Sequence, residues 1–223
     1  SKALIAVATL LAKFPQSSAL YNINGAINAR LNNFDLAIEN YRKAIKFKPD
    51  CAEAYNNLGD ALHKEKDFVS AMKSYELALT FKSDFAAAHY NLGNLHRDNN
   101  ARDQAIERYN KAILLNDKYF EAYNNLGLIL IVEKDFEQAK VNFKKALEIS
   151  PNHEGMRESK LWVEAVTCDW SGISEDRALI PTLGMSAQYV DLLGLFALED
   201  APERHLMRAK VYSKGKYKQK PRP

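Results

Sequence analysis

Gly25, Gly59, Gly93 and Gly127 follow one another at intervals of 34 residues. Ala37, Ala71, Ala105 and Ala139 keep the same interval, as do Tyr41, Tyr75, Tyr109 and Phe143, and Ala44, Ala78, Ala112 and Ala146. Columns that stay in phase over successive units mean that each unit solves the same packing problem and covers its neighbour's apolar face. The chain must therefore fold as an array. Hydrophobic residues at 47%, charged residues at 26%, and only 9 Gly and 7 Pro fit a folded, helix-rich chain with few obligatory turns.

The residue types within one unit point to a helix pair. Small residues such as Gly59 and Ala71 belong where two antiparallel helices cross, with Leu58 and Tyr75 filling the gap between them. Ala78 and its equivalents leave room for the next pair to dock. The turn inside each pair carries Asn33, Asp67 or Asp135, then Phe34, Phe68 or Phe136; Arg102 breaks that aromatic column. Asp suits a helix start because its carboxylate accepts otherwise unpaired N–H groups.

Written out, the pattern is Tyr55-x-x-Leu58-Gly59, Ala71, Tyr75 and Ala78, and again Tyr123-x-x-Leu126-Gly127, Ala139, Phe143, Ala146 and Pro151. It resembles the tetratricopeptide repeat (TPR) family. Asn24 before Gly25, His89 at an aromatic position, and Ser83 and Asp117 at the closing-proline position depart from it. The resemblance implies an all-α fold, a right-handed superhelix (an α-solenoid) followed by a small helical C-terminal segment. Repeats are expected at 18–51, 52–85, 86–119 and 120–153. The apolar run from Ala3 to Ala12 could pass for a signal-peptide core. Projecting one repeat back, however, puts Ala3 in an alanine column and Pro15 in the proline column. Residues 1–17 are therefore read as the second helix of a partial repeat.

In stacked helix pairs the first helices line an inner face. One inner column reads Ile23, Asn57, Asn91, Asn125, and its neighbour reads Asn22, Asn56, Tyr90, Asn124. An Asn side chain offers donor and acceptor together, so a ladder of them can hold an extended peptide backbone whatever its sequence. The competing reading is that these amides are surface filler or bond to the next repeat; the binding ladder is the favoured one. Asp60, His63, Lys64, Asn94, Arg97 and Asp98 are expected deeper in the same groove, and their mixed signs argue against a single strongly charged ligand. Leu128, Ile131 and Val132 make the last repeat apolar there, as if to pack against the C-terminal segment.

After Pro151 the signature residues stop. A helix is expected over 154–166, further helical stretches at 173–180 and 187–198, and a capping box at 200–203 opening a last helix to about Lys214. Residues 154–213 are thus a helical junction segment. Trp162-Val163, Cys168-Asp169-Trp170-Ser171 and Leu198-Glu199-Asp200, behind Asn-bearing repeats, resemble the O-linked N-acetylglucosamine transferase family, particularly its bacterial relatives. That resemblance implies a substrate-holding Asn ladder, falling on Asn57, Asn91 and Asn125 and failing at Ile23. It also implies a glycosyltransferase parent whose catalytic lobes would follow this junction. A stand-alone adaptor for complex assembly is the alternative.

The chain by itself is expected to be non-catalytic. It shows no strand–Gly-rich loop–helix unit; its five His residues occur singly, and His89 and His96, seven apart, lack a Cys or carboxylate at metal spacing. No cofactor is expected. Cys51 and Cys168 form no disulfide framework or zinc pattern, as suits a reducing cytoplasm. Net charge is +3, but Lys214, Lys216, Lys218, Lys220 and Arg222 sit in the last ten residues, so residues 1–213 carry −2. The basicity belongs to a linker tail, residues 214–223, and neither a nucleic-acid nor a membrane partner is expected. The partners expected are a peptide or protein substrate in the concave groove and a second copy of the chain, through the apolar run Tyr189–Leu198.

Overall fold

The computed structural model describes residues 2–169. The expected helices beyond residue 169, the self-association through residues 189–198 and the basic tail lie outside the described residues. Within them all regular structure is helical: α1 (Lys2–Lys13), α2 (Ser18–Arg30), α3 (Phe34–Phe47), α4 (Ala52–Lys64), α5 (Phe68–Phe81), α6 (Ala86–Asp98), α7 (Arg102–Leu115), α8 (Phe120–Val132), α9 (Phe136–Ile149) and α10 (Glu154–Val166). A boundary between Asp117 and Lys118 divides the chain into two compact units. In the first, α1 packs on α2, and the pairs α2–α3, α4–α5 and α6–α7 stack in sequence. In the second, α8 pairs with α9, and α10 docks on both.

Each pair closes on one contact. A Cβ built on Gly59 would lie 2.7 Å from the Tyr75 ring, and Gly25, Gly93 and Gly127 meet Tyr41, Tyr109 and Phe143 in the same way. The aromatic ring lies directly against bare backbone, so the two helices come closer than any side chain would permit. Ala37, Ala71, Ala105 and Ala139, with no exposed surface, let the opposite helix do the same. Burying one such ring contributes about 2–3 kcal/mol.

The turn between paired helices is set by backbone hydrogen bonds. Asn32, Lys66, Asn100, Lys134 and Cys168 all adopt φ between 53° and 65°, in the left-handed region. The next residue's N–H then reaches the carbonyl five positions back, as in Asp67 N to Leu62 O at 2.9 Å, satisfying a carbonyl the helix end would otherwise leave unpaired. Asp67 and Asp135 cap the following helix by accepting from the N–H of Ser70 and Gln138, both at 3.1 Å. Asn33, the third residue expected to cap, makes no side-chain cap bond.

The first repeat's departure is accommodated by a polar exchange. Asn24 stands where the other repeats have Leu, and its Nδ2 donates to Asn40 Oδ1 at 3.0 Å. Asn28 in turn donates to the Asn24 carbonyl at 2.9 Å, so the buried amides satisfy one another.

The geometry runs on where the signature residues stop. α8 starts at residue 120 and α10 at 154, with 13 residues each, and the left-handed turn recurs at Cys168. Asp169 N donates to Glu164 O at 2.9 Å, as Asp135 N does to Leu130 O. The α10 helix thus has the length and turn of another first helix. The pattern is hidden in the sequence because Arg157, Lys160 and Leu161 occupy the Tyr, Leu and Gly columns. Instead of a ring on glycine, Val163 joins Ala139 and Phe143 in a small core, with Trp162 and Ile131 packed against it.

Two substitutions test this account. Gly59→Ala is expected to destabilise the chain by about 1–3 kcal/mol in urea unfolding, because overpacking against Tyr75 outweighs the better helix propensity of alanine. Tyr75→Phe is expected to be neutral or to stabilise by up to about 1 kcal/mol. The Tyr75 hydroxyl is buried without a hydrogen-bond partner, burial pushes its pKa well above the ordinary phenol value, and Phe143 already fills the same column. A loss of more than about 1 kcal/mol would show that this hydroxyl has structural work.

Candidate functional site

In the first unit the first helices α2, α4 and α6 lie side by side, α4 touching both neighbours. That arrangement brings the inner asparagines of successive repeats within bonding distance. Asn91 Nδ2 donates to Asn56 Oδ1 at 3.1 Å, Asn56 Nδ2 to Asn57 Oδ1 at 3.5 Å, and Asn57 Nδ2 to Asn22 Oδ1 at 3.0 Å. Four amides from three helices therefore form one continuous run. A primary amide has two N–H groups and two carbonyl lone pairs, so each member of the run keeps capacity for a further partner.

Asn22, Asn57 and Asn91 are half-buried, whereas Asn56 is 7% exposed. Asn56 is the link that joins the inner positions, and Asn22, Asn57 and Asn91 are the members a ligand can touch. Sequence reasoning offers a ligand ladder or inter-repeat bonding as alternatives. The structure shows the inter-repeat bonds, and they leave ligand capacity in place.

Next to this run a cavity of about 300 Å³ is lined by Asp60, His63, Lys64, Lys66, Phe68, Asn91, Asn94, Arg97 and Asp98. The six residues that spacing places deeper in the groove therefore do come together. Asp98 sits at the centre of an ionic cluster: Oδ2 lies 3.0 Å from His63 Nε2, and Oδ1 accepts from Arg97 Nε and Nη2 at 3.1 and 2.9 Å. The His63 ring rests edge-on against Phe68, with centroids 5.5 Å apart. Asn94 Oδ1 accepts from the Tyr109 hydroxyl at 2.7 Å, and Tyr90 packs against the Tyr109 ring at 5.9 Å. Tyr90 and Asn94 are thus tied to the packing of their own repeat. With Asp98 balanced by Arg97 and bonded to His63, the cavity suits a hydrogen-bonding peptide group better than an isolated charge.

In the second unit Asn124 Nδ2 donates to Asn125 Oδ1 at 3.3 Å, repeating the Asn56–Asn57 bond two repeats along the sequence. Asn125 is 8% exposed, so here the column residue is the buried one. Leu128, Ile131 and Val132 are the residues expected to pack against the C-terminal segment. Ile131 does so, but Leu128 and Val132 stay exposed and line a cavity of about 570 Å³ that separates this face of α8 from His153, which caps α10, and from Gly155, Glu158, Ser159 and Trp162 of α10. The reason is geometric. The α10 helix docks on α9 through Val163, which holds it off the Asn-bearing face of α8.

Among the described residues no group of three or more His, Cys, Asp or Glu side chains is placed to hold a metal ion. No described helix is long and apolar enough to cross a membrane.

Comparison with known proteins agrees with this geometry. The TPR repeat family model matches residues 25–66, 59–100 and 93–131, and the tetratricopeptide repeat model matches 120–153. No curated protein matches the chain. Among solved structures, pilF of Pseudomonas aeruginosa is similar with a TM-score of 0.74 and 20% identity, over 91% of this chain and 93% of that one. YrrB, a TPR protein with an unusual peptide-binding site, is similar with a TM-score of 0.61 and 18% identity, over 92% and 98%. A crystal structure of MamA is similar with a TM-score of 0.58 and 27% identity, over 66% and 86%. The pilF and YrrB likenesses show the fold. The repeat models together span residues 25–153, more than half of the sequence, and the chain belongs to the tetratricopeptide repeat family.

Proposed function

We propose that this chain is a protein-interaction scaffold that holds an extended peptide along the asparagine-bearing face of α2, α4 and α6. The observation that carries the reading is the continuous amide run from Asn91 through Asn56 and Asn57 to Asn22. Its members are held in place by one another, so little side-chain entropy is left to lose when a peptide binds. Their remaining donors and acceptors match the alternating N–H and C=O groups of an extended backbone. The adjoining cavity around His63, Asn94, Arg97 and Asp98 would take one polar side chain of that peptide. The likeness to YrrB, itself a peptide-binding TPR protein, is consistent with this use of the fold.

A glycosyltransferase parent is the finer reading, and it rests on the sequence resemblance around residues 162–171 and 198–200. Part of that resemblance has a structural explanation of its own. Trp162 packs edge-on against Phe136, and Cys168 and Asp169 form the turn that ends α10. A stand-alone adaptor fits these observations equally well. The two readings share the same peptide-holding face.

The test is a fluorescence-anisotropy screen of labelled, unstructured peptides against the wild-type chain and the Asn57→Ala/Asn91→Ala double variant. Peptides that bind the wild type are expected to bind the variant at least about tenfold more weakly, while far-UV circular dichroism is unchanged. Undiminished binding in a folded double variant would remove the asparagine face from the reading. Asn125 is left out of this variant because its side chain is buried.

A further inference from the structure

Three of the positions at which the third repeat departs from its columns meet at one cavity on the outer side of α6 and α7. Tyr21, Tyr55 and Tyr123 become His89. Asn40, Ser74 and Asn142, all buried, become Arg108. Lys46, Thr80 and Glu148 become Leu114, which is 75% exposed. Elsewhere the tyrosine column closes its repeat by stacking. Tyr21 lies on Phe47 with centroids 5.6 Å apart, and Tyr55 on Phe81 at 5.5 Å. In the third repeat the phenylalanine is Leu115, no ring pair forms, and a cavity of about 420 Å³ is lined by His89, Glu107, Arg108, Asn110, Lys111 and Leu114.

The polar atoms of this cavity define what it can take. His89 is 6% exposed, and its Nε2 lies 3.2 Å from the Ser83 carbonyl, which can only accept; the proton therefore sits on Nε2. Burial first, then the nearby Arg108 and Lys111, hold the imidazole below its ordinary pKa, so the ring is neutral near pH 7 and Nδ1 is an acceptor. That Nδ1 and the Nε–H of Arg108 are both buried without a hydrogen-bond partner. The occupant must donate one hydrogen bond and accept another. A fully ionised oxyanion brings no proton for Nδ1, and any anion meets the Glu107 carboxylate; an alkyl group leaves both atoms unsatisfied.

The first repeat shows what fits. There Lys43 Nζ stands 5.8 Å from the centre of the Tyr21 ring, and Lys111 is the same position two repeats on, facing a cavity instead of a ring. We propose that the third repeat is a receptor for a phenol, the tyrosine side chain of a partner protein. Its hydroxyl donates to His89 Nδ1 and accepts from Arg108 Nε, while its ring lies beneath Lys111 and against Leu114. The site is separate from the asparagine face and does not depend on the peptide reading.

The experiment is an NMR titration of the full chain with N-acetyl-tyrosinamide, N-acetyl-phenylalaninamide and inorganic phosphate, following the His89 ring and the α6 and α7 amides. The tyrosine probe is expected to give saturable shifts at His89, Arg108 and Lys111, with the phenylalanine probe at least about tenfold weaker. Two variants keep the outcome readable. His89→Tyr supplies the ring from within, as in the other repeats, and is expected to stay folded and lose the site. Arg108→Ser, which takes the second repeat's residue, is expected to weaken the tyrosine probe about tenfold. The proposal is overturned if the tyrosine probe gives no saturable shift, or if the phenylalanine probe binds as well. Saturation by phosphate, or full binding in folded His89→Tyr, would overturn it too.

Discussion

The four helix pairs from α2–α3 to α8–α9 depend on one contact, an aromatic ring laid against the backbone of a glycine. Tyr75 on Gly59 sets the distance between α4 and α5, and Tyr41, Tyr109 and Phe143 do the same in their own pairs. Once that distance is fixed, the small residues opposite must stay small and the turn must bring the chain back within a few residues. The left-handed residues at Asn32, Lys66, Asn100 and Lys134 supply that turn. Pair after pair then repeats, because the same contact imposes the same spacing.

The polar features derive from that regularity. A side chain on one first helix meets, on the neighbouring first helix, the residue 35 positions on, one past its own repeat equivalent, and Asn57 meets Asn22 for that reason. The His63–Asp98 pair arises likewise, between residues 35 apart on α4 and α6. A short polar residue in one inner column is thus brought within bonding distance of the residue beside its own copy. Repetition makes a binding face by the same operation that makes a core.

Departures from the repeat are where individuality enters. Asn24 in a leucine column is answered by Asn40 and Asn28, so the core absorbs it without loss of satisfied hydrogen bonds. His89 and Arg108 receive no such answer, and the atoms left over line a cavity on the outer side of their repeat. Both kinds of departure are visible as broken columns in the sequence. Only the folded structure separates them, since satisfaction depends on which neighbour lies within about 3 Å.

The sequence by itself determined the helix-pair unit, its 34-residue period and the residues at the helix crossing, because a repeated spacing problem leaves a repeated residue pattern. It also located the polar cluster of Asp60, His63, Asn94, Arg97 and Asp98, since position within the unit fixes the face. The tertiary structure decided what the pattern could not express. It joined the asparagines into one run, with Asn56 and Asn125 turned into the packing, because side-chain pairing across helices depends on their separation and not on residue type. It carried the period into α10, where Arg157, Lys160 and Leu161 erase the signature while the helix length and the turn at Cys168 persist. Backbone geometry, held by hydrogen bonds that any residue can make, outlasts the side-chain pattern that first reveals it.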